Sequence, residues 1–128
     1  MFFGKPLKIL ALVGTTMVLW GALATLLATT GPSKGNPAEG KKIFTVKCVP
    51  CHKADGSGGF KLTGNPTPNW KDAKTWADPK RTDDYLRDCI TNGKIKSGMV
   101  AWSKQGVKPA DIENLIAYIH TFATAKKK

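Results

Sequence analysis

The pentapeptide CVPCH, residues Cys48-Val49-Pro50-Cys51-His52, constrains the fold and the chemistry of this chain more than any other segment. It places two thiols about one helical turn apart and puts an imidazole directly after the second thiol. The chain has 3 cysteines, and this odd number does not indicate a framework of disulfide bonds. We therefore expect the functional chemistry of the chain to lie at this pentapeptide.

The spacing C-x-x-C-H is that of the attachment sequence for c-type haem. Each thiol can add to a vinyl group of the porphyrin, and the neighbouring imidazole of His52 can then reach the iron. In a chain with 3 cysteines and 2 histidines among 128 residues, this pattern arises by chance about once in a thousand cases. The pattern therefore predicts one haem c attached to Cys48 and Cys51, with His52 as an axial ligand.

Two other uses of these thiols stay open at this point. A zinc site would combine Cys48 and Cys51 with Cys89 and His120, but the sequence has no second closely spaced pair of ligands. A thioredoxin-like dithiol would need a strand before the motif, where the pattern predicts a helix. Haem attachment is the interpretation that the sequence favours most.

The size of the chain agrees with a cofactor at its centre. With 41% hydrophobic and 23% charged residues, the composition is that of a globular protein, which excludes a disordered or collagen-like chain. A length of 128 residues leaves room for one domain. A domain that is smaller still, once a membrane segment is subtracted, needs a staple or a cofactor to be stable.

The beginning of the chain predicts a membrane segment. Residues 9–30 contain no charged side chain, and at about 1.5 Å per residue a helix of this length spans roughly 30 Å. We expect residues 1–30 to form a retained transmembrane anchor. The alternative is a signal peptide cleaved near Ala22-Leu23-Ala24. Lys5 and Lys8 precede the segment, which favours a cytoplasmic amino terminus and a working domain on the periplasmic side of the inner membrane.

After the anchor, the pattern predicts a short linker over residues 31–36, an all-α domain over 37–125 and a basic tail over 126–128. A first helix runs from Pro37 to Lys47, and a second follows the N-cap Thr82 and ends before Gly93. A third begins after Pro109, and its apolar face is formed by Ile112, Leu115, Ile116, Ile119 and Ala123. No alternating strand pattern is present.

The sixth position of the iron decides between an electron carrier and a catalyst or gas sensor. Met99 is the only methionine after the apolar segment, and its soft thioether suits a buried iron. His120 is the competing ligand, but it lies at the edge of the apolar stripe of the last helix. Cys89 is expected to be a buried small apolar side chain.

The order of several short motifs resembles the monohaem class I cytochromes c. The matching residues are Gly40, Phe44, Cys48, Cys51 and His52, then Pro68-Asn69-Trp70, Asn92-Gly93-Lys94, Gly98-Met99-Val100-Ala101-Trp102, and Leu115 with Tyr118-Ile119. The resemblance implies a fold in which the first and last helices cross at near right angles. It also implies that Gly40 allows their close approach, that Phe44 packs by Leu115 and Tyr118, and that His52 and Met99 are the axial ligands. That family usually has proline after the ligand methionine, whereas this chain has Val100, so we expect a less rigid ligand loop.

With both axial positions occupied, the predicted function is that of a one-electron carrier and not of an enzyme. A haem catalyst or gas-binding sensor with an open sixth position is the alternative. The short linker favours a subunit or fixed docking partner of a membrane electron-transfer complex. The formal net charge of +11 calls for an acidic protein surface, an anionic membrane or nucleic acid as partner, and of these we expect an acidic docking surface on the redox complex and not nucleic acid. The fold that the resemblance implies would gather five lysines around the exposed haem edge, which are Lys47, Lys53, Lys94, Lys96 and Lys104.

Overall fold

The computed structural model of the chain describes residues 35–124. The predicted anchor and the basic tail 126–128 lie outside these residues. Between residues 35 and 124, no helix is long and apolar enough to cross a membrane. The described part has five α-helices, which are α1 (Pro37–Lys47), α2 (Val49–His52), α3 (Ala73–Ala77), α4 (Asp83–Asn92) and α5 (Pro109–Thr124).

Two short 3₁₀ helices, Ile95–Ser97 and Trp102–Gln105, lie between α4 and α5. Within residues 35–124, the only strand-like pairing is an isolated antiparallel bridge between Lys94 and Met99. The all-α class predicted from the sequence is therefore confirmed for the described residues.

Local capping explains where the predicted helices begin. The Asn36 side chain accepts a hydrogen bond of 2.9 Å from the backbone N–H of Ala38, and Pro37 occupies the first helical position of α1. Thr82 caps α4 in the same way, through a bond of 3.2 Å from the N–H of Tyr85. Gly93 ends α4 with a φ of 75°, a conformation that favours glycine. The predicted limits of both helices are confirmed.

The first and last helices pack closely against each other at Gly40. A β-carbon at this position would lie 1.9 Å from the carbonyl oxygen of Asn114 and 2.9 Å from the β-carbon of Tyr118. One turn further along α1, the buried Phe44 ring meets Tyr118 edge-on, with ring centroids 5.2 Å apart. The contact that the sequence led us to expect around Gly40 and Phe44 is present.

The apolar face predicted for the last helix needs one correction. Ile112, Leu115, Ile116 and Ile119 are buried as expected, but Ala123 is exposed and Phe122 is buried instead. The next inward position after Ile119 falls three residues later, at Phe122, since a helix of 3.6 residues per turn alternates steps of three and four. Phe122 packs on Phe44 with ring centroids 5.4 Å apart.

Candidate functional site

The CVPCH pentapeptide forms a single helical turn directly after α1. The N–H of Cys48 donates to the Phe44 carbonyl at 2.9 Å, so the first thiol sits at the end of α1. The N–H of His52 donates to the Cys48 carbonyl at 2.9 Å, which closes α2. Lys53 then leaves the helix with a φ of 59°. This geometry keeps Cys48, Cys51 and His52 within one turn and leaves all three partly buried.

Two clefts open beside this turn, with about 630 Å³ and about 710 Å³ of empty space. The two clefts share four lining residues, which are Cys48, His52, Met99 and Trp102. Cys51 lines the second cleft. The fold thus brings the four site residues predicted from the sequence to the walls of one pair of adjoining clefts.

His52 is surrounded mainly by aromatic rings. Its imidazole stacks on Trp70, with centroids 6.2 Å apart and an interplanar angle of 25°. Phe44 lies on it at 6.4 Å in a tilted arrangement. Burial lowers the pKa of His52, because an apolar environment disfavours the charged imidazolium. His52 is therefore held in the neutral form, which is the form that binds metals.

The structure speaks against the zinc alternative. Over residues 35–124, no group of three or more His, Cys, Asp or Glu side chains is arranged to hold a metal ion. His120 points to other partners, since its Nε2 lies 2.6 Å from Oδ1 of Asp83 and its ring stacks on Trp76.

Met99 lies at the end of a tight loop that closes on itself. The N–H of Lys94 donates to the Met99 carbonyl at 2.9 Å, and the N–H of Met99 donates back to the Lys94 carbonyl at 3.2 Å. Gly98 precedes Met99 with a φ of 85° and lies against Leu62, which a β-carbon would approach to 2.6 Å. These contacts restrain the Met99 loop although Val100, and not proline, follows it.

Two buried hydrogen-bond donors in the first cleft were not expected from the sequence. Nε of Arg81 and Nε1 of Trp70 are both buried, and neither has a hydrogen-bond partner in the described part of the chain. The Arg81 guanidinium lies 5.6 Å from the centroid of the Trp70 ring and 5.8 Å from that of Tyr85. Buried donors of this kind call for an acceptor that the side chains of the cleft do not supply. A lone Arg in a loop carries no sequence signal for this role.

Cys89 has the environment that the sequence predicts. It is 9% exposed, and it lines the first cleft together with Leu86 and Ile90. Burial raises the pKa of the neighbouring Tyr85, and a hydrogen bond with Cys89 contributes to this shift. Cys89 is part of the wall of the cleft.

Comparisons with known proteins agree with this fold and this site. Residues 35–119 match the family described as "Cytochrome C oxidase, cbb3-type, subunit III". A cytochrome c6 from Rippkaea orientalis (strain PCC 8801 / RF-1) is 31% identical over 121 residues, which cover 94% of this chain and 98% of the relative. The solved structure of KustC0563, a c-type cytochrome, superposes with a TM-score of 0.51 at 24% identity, over 65% of this chain and 95% of the other.

The helical fold, the CVPCH turn and the adjoining clefts define a c-type cytochrome. The chain belongs to the cytochrome c family matched over residues 35–119, whose description is that of the cbb3-type subunit III domain. It therefore carries covalently bound haem c with iron, as predicted, and it is an electron-transfer protein.

Proposed function

We propose that this protein is a one-electron carrier in which Cys48 and Cys51 hold the haem and His52 and Met99 are its axial ligands. Each thiol adds across a vinyl double bond, so that sulfur bonds to one carbon and hydrogen to the other. The observation that carries the proposal is that all four side chains line the same pair of adjoining clefts. The bound haem supplies an iron that alternates between ferric and ferrous states.

The residues of the clefts fit a haem in a second respect. A haem carries propionate carboxylates, which accept hydrogen bonds. Nε1 of Trp70 and Nε of Arg81 are buried donors without a partner among the described residues. We assign to Arg81 and Trp70 the role of holding a propionate, because a charge-assisted bond to Arg81 offsets the cost of burying its guanidinium.

The other side chains of the first cleft shield the haem from water, and the two axial ligands set its reduction potential. Leu86, Ile90 and Leu115 are buried and line the first cleft, so they exclude water from the haem face. The neutral imidazole of His52 and the thioether of Met99 together favour the ferrous state, and a thioether in particular raises the reduction potential. With both axial positions filled, no position is left for a substrate.

A spectroscopic experiment tests this function. We expect the ferrous wild-type protein to keep its visible absorption spectrum under carbon monoxide, because Met99 occupies the sixth position. Rapid formation of a carbon monoxide complex would instead favour the haem catalyst or gas-binding sensor. An engineered Met99→Ala protein provides the open-site reference in the same titration.

We further propose that the partner is a membrane-bound redox complex with an acidic docking surface. The family description names an oxidase subunit, which agrees with such a partner. Lys47 and Lys94 line the clefts, and Lys53, Lys96 and Lys104 are exposed. Exposed apolar side chains, Phe60, Leu62 and Val100, line the second cleft. An apolar centre with a basic rim suits docking to an acidic protein surface.

The proposed location is the inner membrane, with residues 1–30 as the anchor and the haem domain on the periplasmic side. The support for it is the uncharged run over residues 9–30 and the two lysines that precede it. The mass of the mature protein and its partition into detergent test the anchor. A native amino terminus after residue 24 would show a cleaved signal peptide instead.

A further inference from the structure

The orientation of the His52 ring is restrained by aromatic side chains that pack on it. A histidine that binds a metal almost always donates its other ring N–H to a carboxylate, a carbonyl or water. Nδ1 of His52 is buried and has no hydrogen-bond partner among the described residues. The contacts that remain are with aromatic rings, and the most nearly parallel of them is the stack on Trp70 at 6.2 Å and 25°. Trp70 therefore contributes to setting the plane of the imidazole.

Trp70 is in turn held by Trp76. Trp70 is 4% exposed, and its carbonyl accepts a hydrogen bond of 2.7 Å from Nε1 of Trp76. The two indole rings also pack on each other, with centroids 5.5 Å apart. A shift of Trp76 would consequently move both the backbone and the ring of Trp70.

Trp76 itself sits on a helix of five residues, α3, which is too short to be rigid by itself. The outer face of the Trp76 ring is covered by His120 of α5, and the two rings stack with centroids 4.8 Å apart and an interplanar angle of 28°. Nε2 of His120 lies 2.6 Å from Oδ1 of Asp83, in the first turn of α4. His120 and Asp83 therefore connect α3 to α5 and α4 at a solvent-exposed position.

We propose that Trp76, His120 and Asp83 are positioning residues for the axial ligand: they hold Trp70 against His52 and so set the plane of the imidazole on the iron. The inference rests on the proposed ligation by His52. The orientation of an axial ligand by the residues behind it is one of the means by which a protein tunes its metal. The reduction potential and the ligand geometry should then respond to substitutions at a surface pair that does not touch the haem ligands.

The test uses the holoprotein and two readouts, the g-values of the low-spin ferric iron in electron paramagnetic resonance and the midpoint potential. Trp76→Phe keeps an aromatic ring but removes the hydrogen bond to the Trp70 carbonyl, while Trp76→Leu removes the ring as well. Asp83→Asn and His120→Gln leave Trp76 in place and weaken only the contacts of residue 120 with Asp83 and with the Trp76 ring. Asp84→Asn is the matched control, because it removes the same charge from the next residue, which pairs with Arg87 and not with His120.

We expect the g-values to shift most for Trp76→Leu, less for Trp76→Phe, and measurably for Asp83→Asn and His120→Gln. Asp84→Asn should keep the wild-type g-values. The potential should shift for Asp83→Asn beyond the shift that Asp84→Asn produces through its charge alone. Variants that lose stability but retain wild-type g-values and the potential of the control would overturn the positioning role. A wild-type ferric protein without a histidine–methionine low-spin signal would overturn the proposed ligands, and this proposal with them.

Discussion

Gly40 on α1 and Asn114 on α5 are in such close contact that a β-carbon at position 40 would lie 1.9 Å from the Asn114 carbonyl oxygen. The obstacle is backbone, which cannot rotate away as a side chain can. Phe44, one turn later on α1, is buried against α5 and also forms part of the first cleft. The approach of the two helices at Gly40 therefore places one wall of the haem site.

The first prediction is that Gly40→Ala separates the two helices and destabilises the fold. Overpacked core positions typically lose about 1–3 kcal/mol of the free energy of unfolding, and we expect a loss at the upper end of this range. Denaturant unfolding of the holoprotein measures it. Lys41→Ala, at the next and exposed position of the same helix, is the control and should change little. Equal stabilities for the two variants would contradict the close contact.

The second prediction concerns covalent attachment. Thioether bonds survive unfolding, whereas axial bonds do not, so the wild-type polypeptide should keep its haem on a denaturing gel. Cys51→Ala should leave at most one thioether and yield a poorly matured protein with little haem staining. Cys89→Ala removes the third thiol, which lines the cleft but is not part of the motif, and should keep its staining. Loss of stain from Cys89→Ala but not from Cys51→Ala would refute the assignment.

Substitution of Met99 is the third test. Met99→Ala should open the sixth position, so that ferrous protein binds carbon monoxide, and the reduction potential should fall because the thioether is lost. Met99→His should also lower the potential but keep two axial ligands. Ile95→Ala, at an exposed position of the same loop that lines neither cleft, should leave both properties unchanged. The ligand assignment fails if Met99→Ala has the spectrum and potential of the wild type.

The fourth prediction is a dependence of stability on pH through Asp55. Hydrogen bonds from Ser57 and the ammonium of Lys71 hold the pKa of the Asp55 carboxyl well below its ordinary value. A carboxyl with a depressed folded-state pKa stabilises the protein above the unfolded-state pKa, about 3.9. This contribution is lost as the pH falls through the folded-state value.

Asp55→Asn should therefore lower the melting temperature at neutral pH and reduce the further loss of stability below about pH 4. Glu39→Gln is the control for the change in net charge, because Glu39 pairs with Lys42 on an exposed part of α1. Thermal unfolding between acid and neutral pH measures the effect. Parallel stability curves for Asp55→Asn and the wild type would rule out this contribution.

The fifth prediction concerns the basic surface. Ferrous protein should be oxidised by the anion hexacyanoferrate(III) at a rate that falls as salt rises, because screening is strong beyond a Debye length of about 10 Å at 0.1 M. Lys94→Glu and Lys96→Glu should slow this reaction more than reversal of the tail lysines 126–128. The cationic oxidant tris(phenanthroline)cobalt(III) should show the opposite trends. If reversing the charge of the tail lysines slows the reaction as much as Lys94→Glu and Lys96→Glu do, the electrons leave the protein elsewhere.

Several features of this protein are readable in its sequence because they depend on neighbours in the chain. The spacing of Cys48, Cys51 and His52 is dictated by the haem, and one helical turn suffices to present all three. Asn36 and Thr82 accept hydrogen bonds from backbone N–H groups two or three residues later, so the starts of α1 and α4 can be predicted from the local sequence. The apolar periodicity of α5 likewise predicts its buried face, apart from the exchange of Ala123 for Phe122.

The short helix α3 was not predicted, because five residues carry too little periodicity to be recognised. Its stability comes from Trp76, which contacts Trp70 six positions earlier and His120 on another helix. The position of Met99 likewise depends partly on the sequence and partly on tertiary contacts. The sequence predicts Met99 as the sixth ligand because it is the only methionine after the apolar segment. Its loop, however, is restrained by the pairing with Lys94 and by the packing of Gly98 on Leu62.

An all-α domain with covalent haem can be predicted from the sequence alone, since the attachment chemistry needs only five consecutive residues and helix caps are local. Tertiary packing alone brings Trp70 and Arg81 into the same cleft, where each has a buried donor without a partner among residues 35–124, and brings Asp83 to His120 behind Trp76. Such contacts join residues far apart in the chain, and they form only when the packing of α4 and α5 brings those residues together. No local pattern encodes that meeting, because its energy comes from burial and pairing across elements.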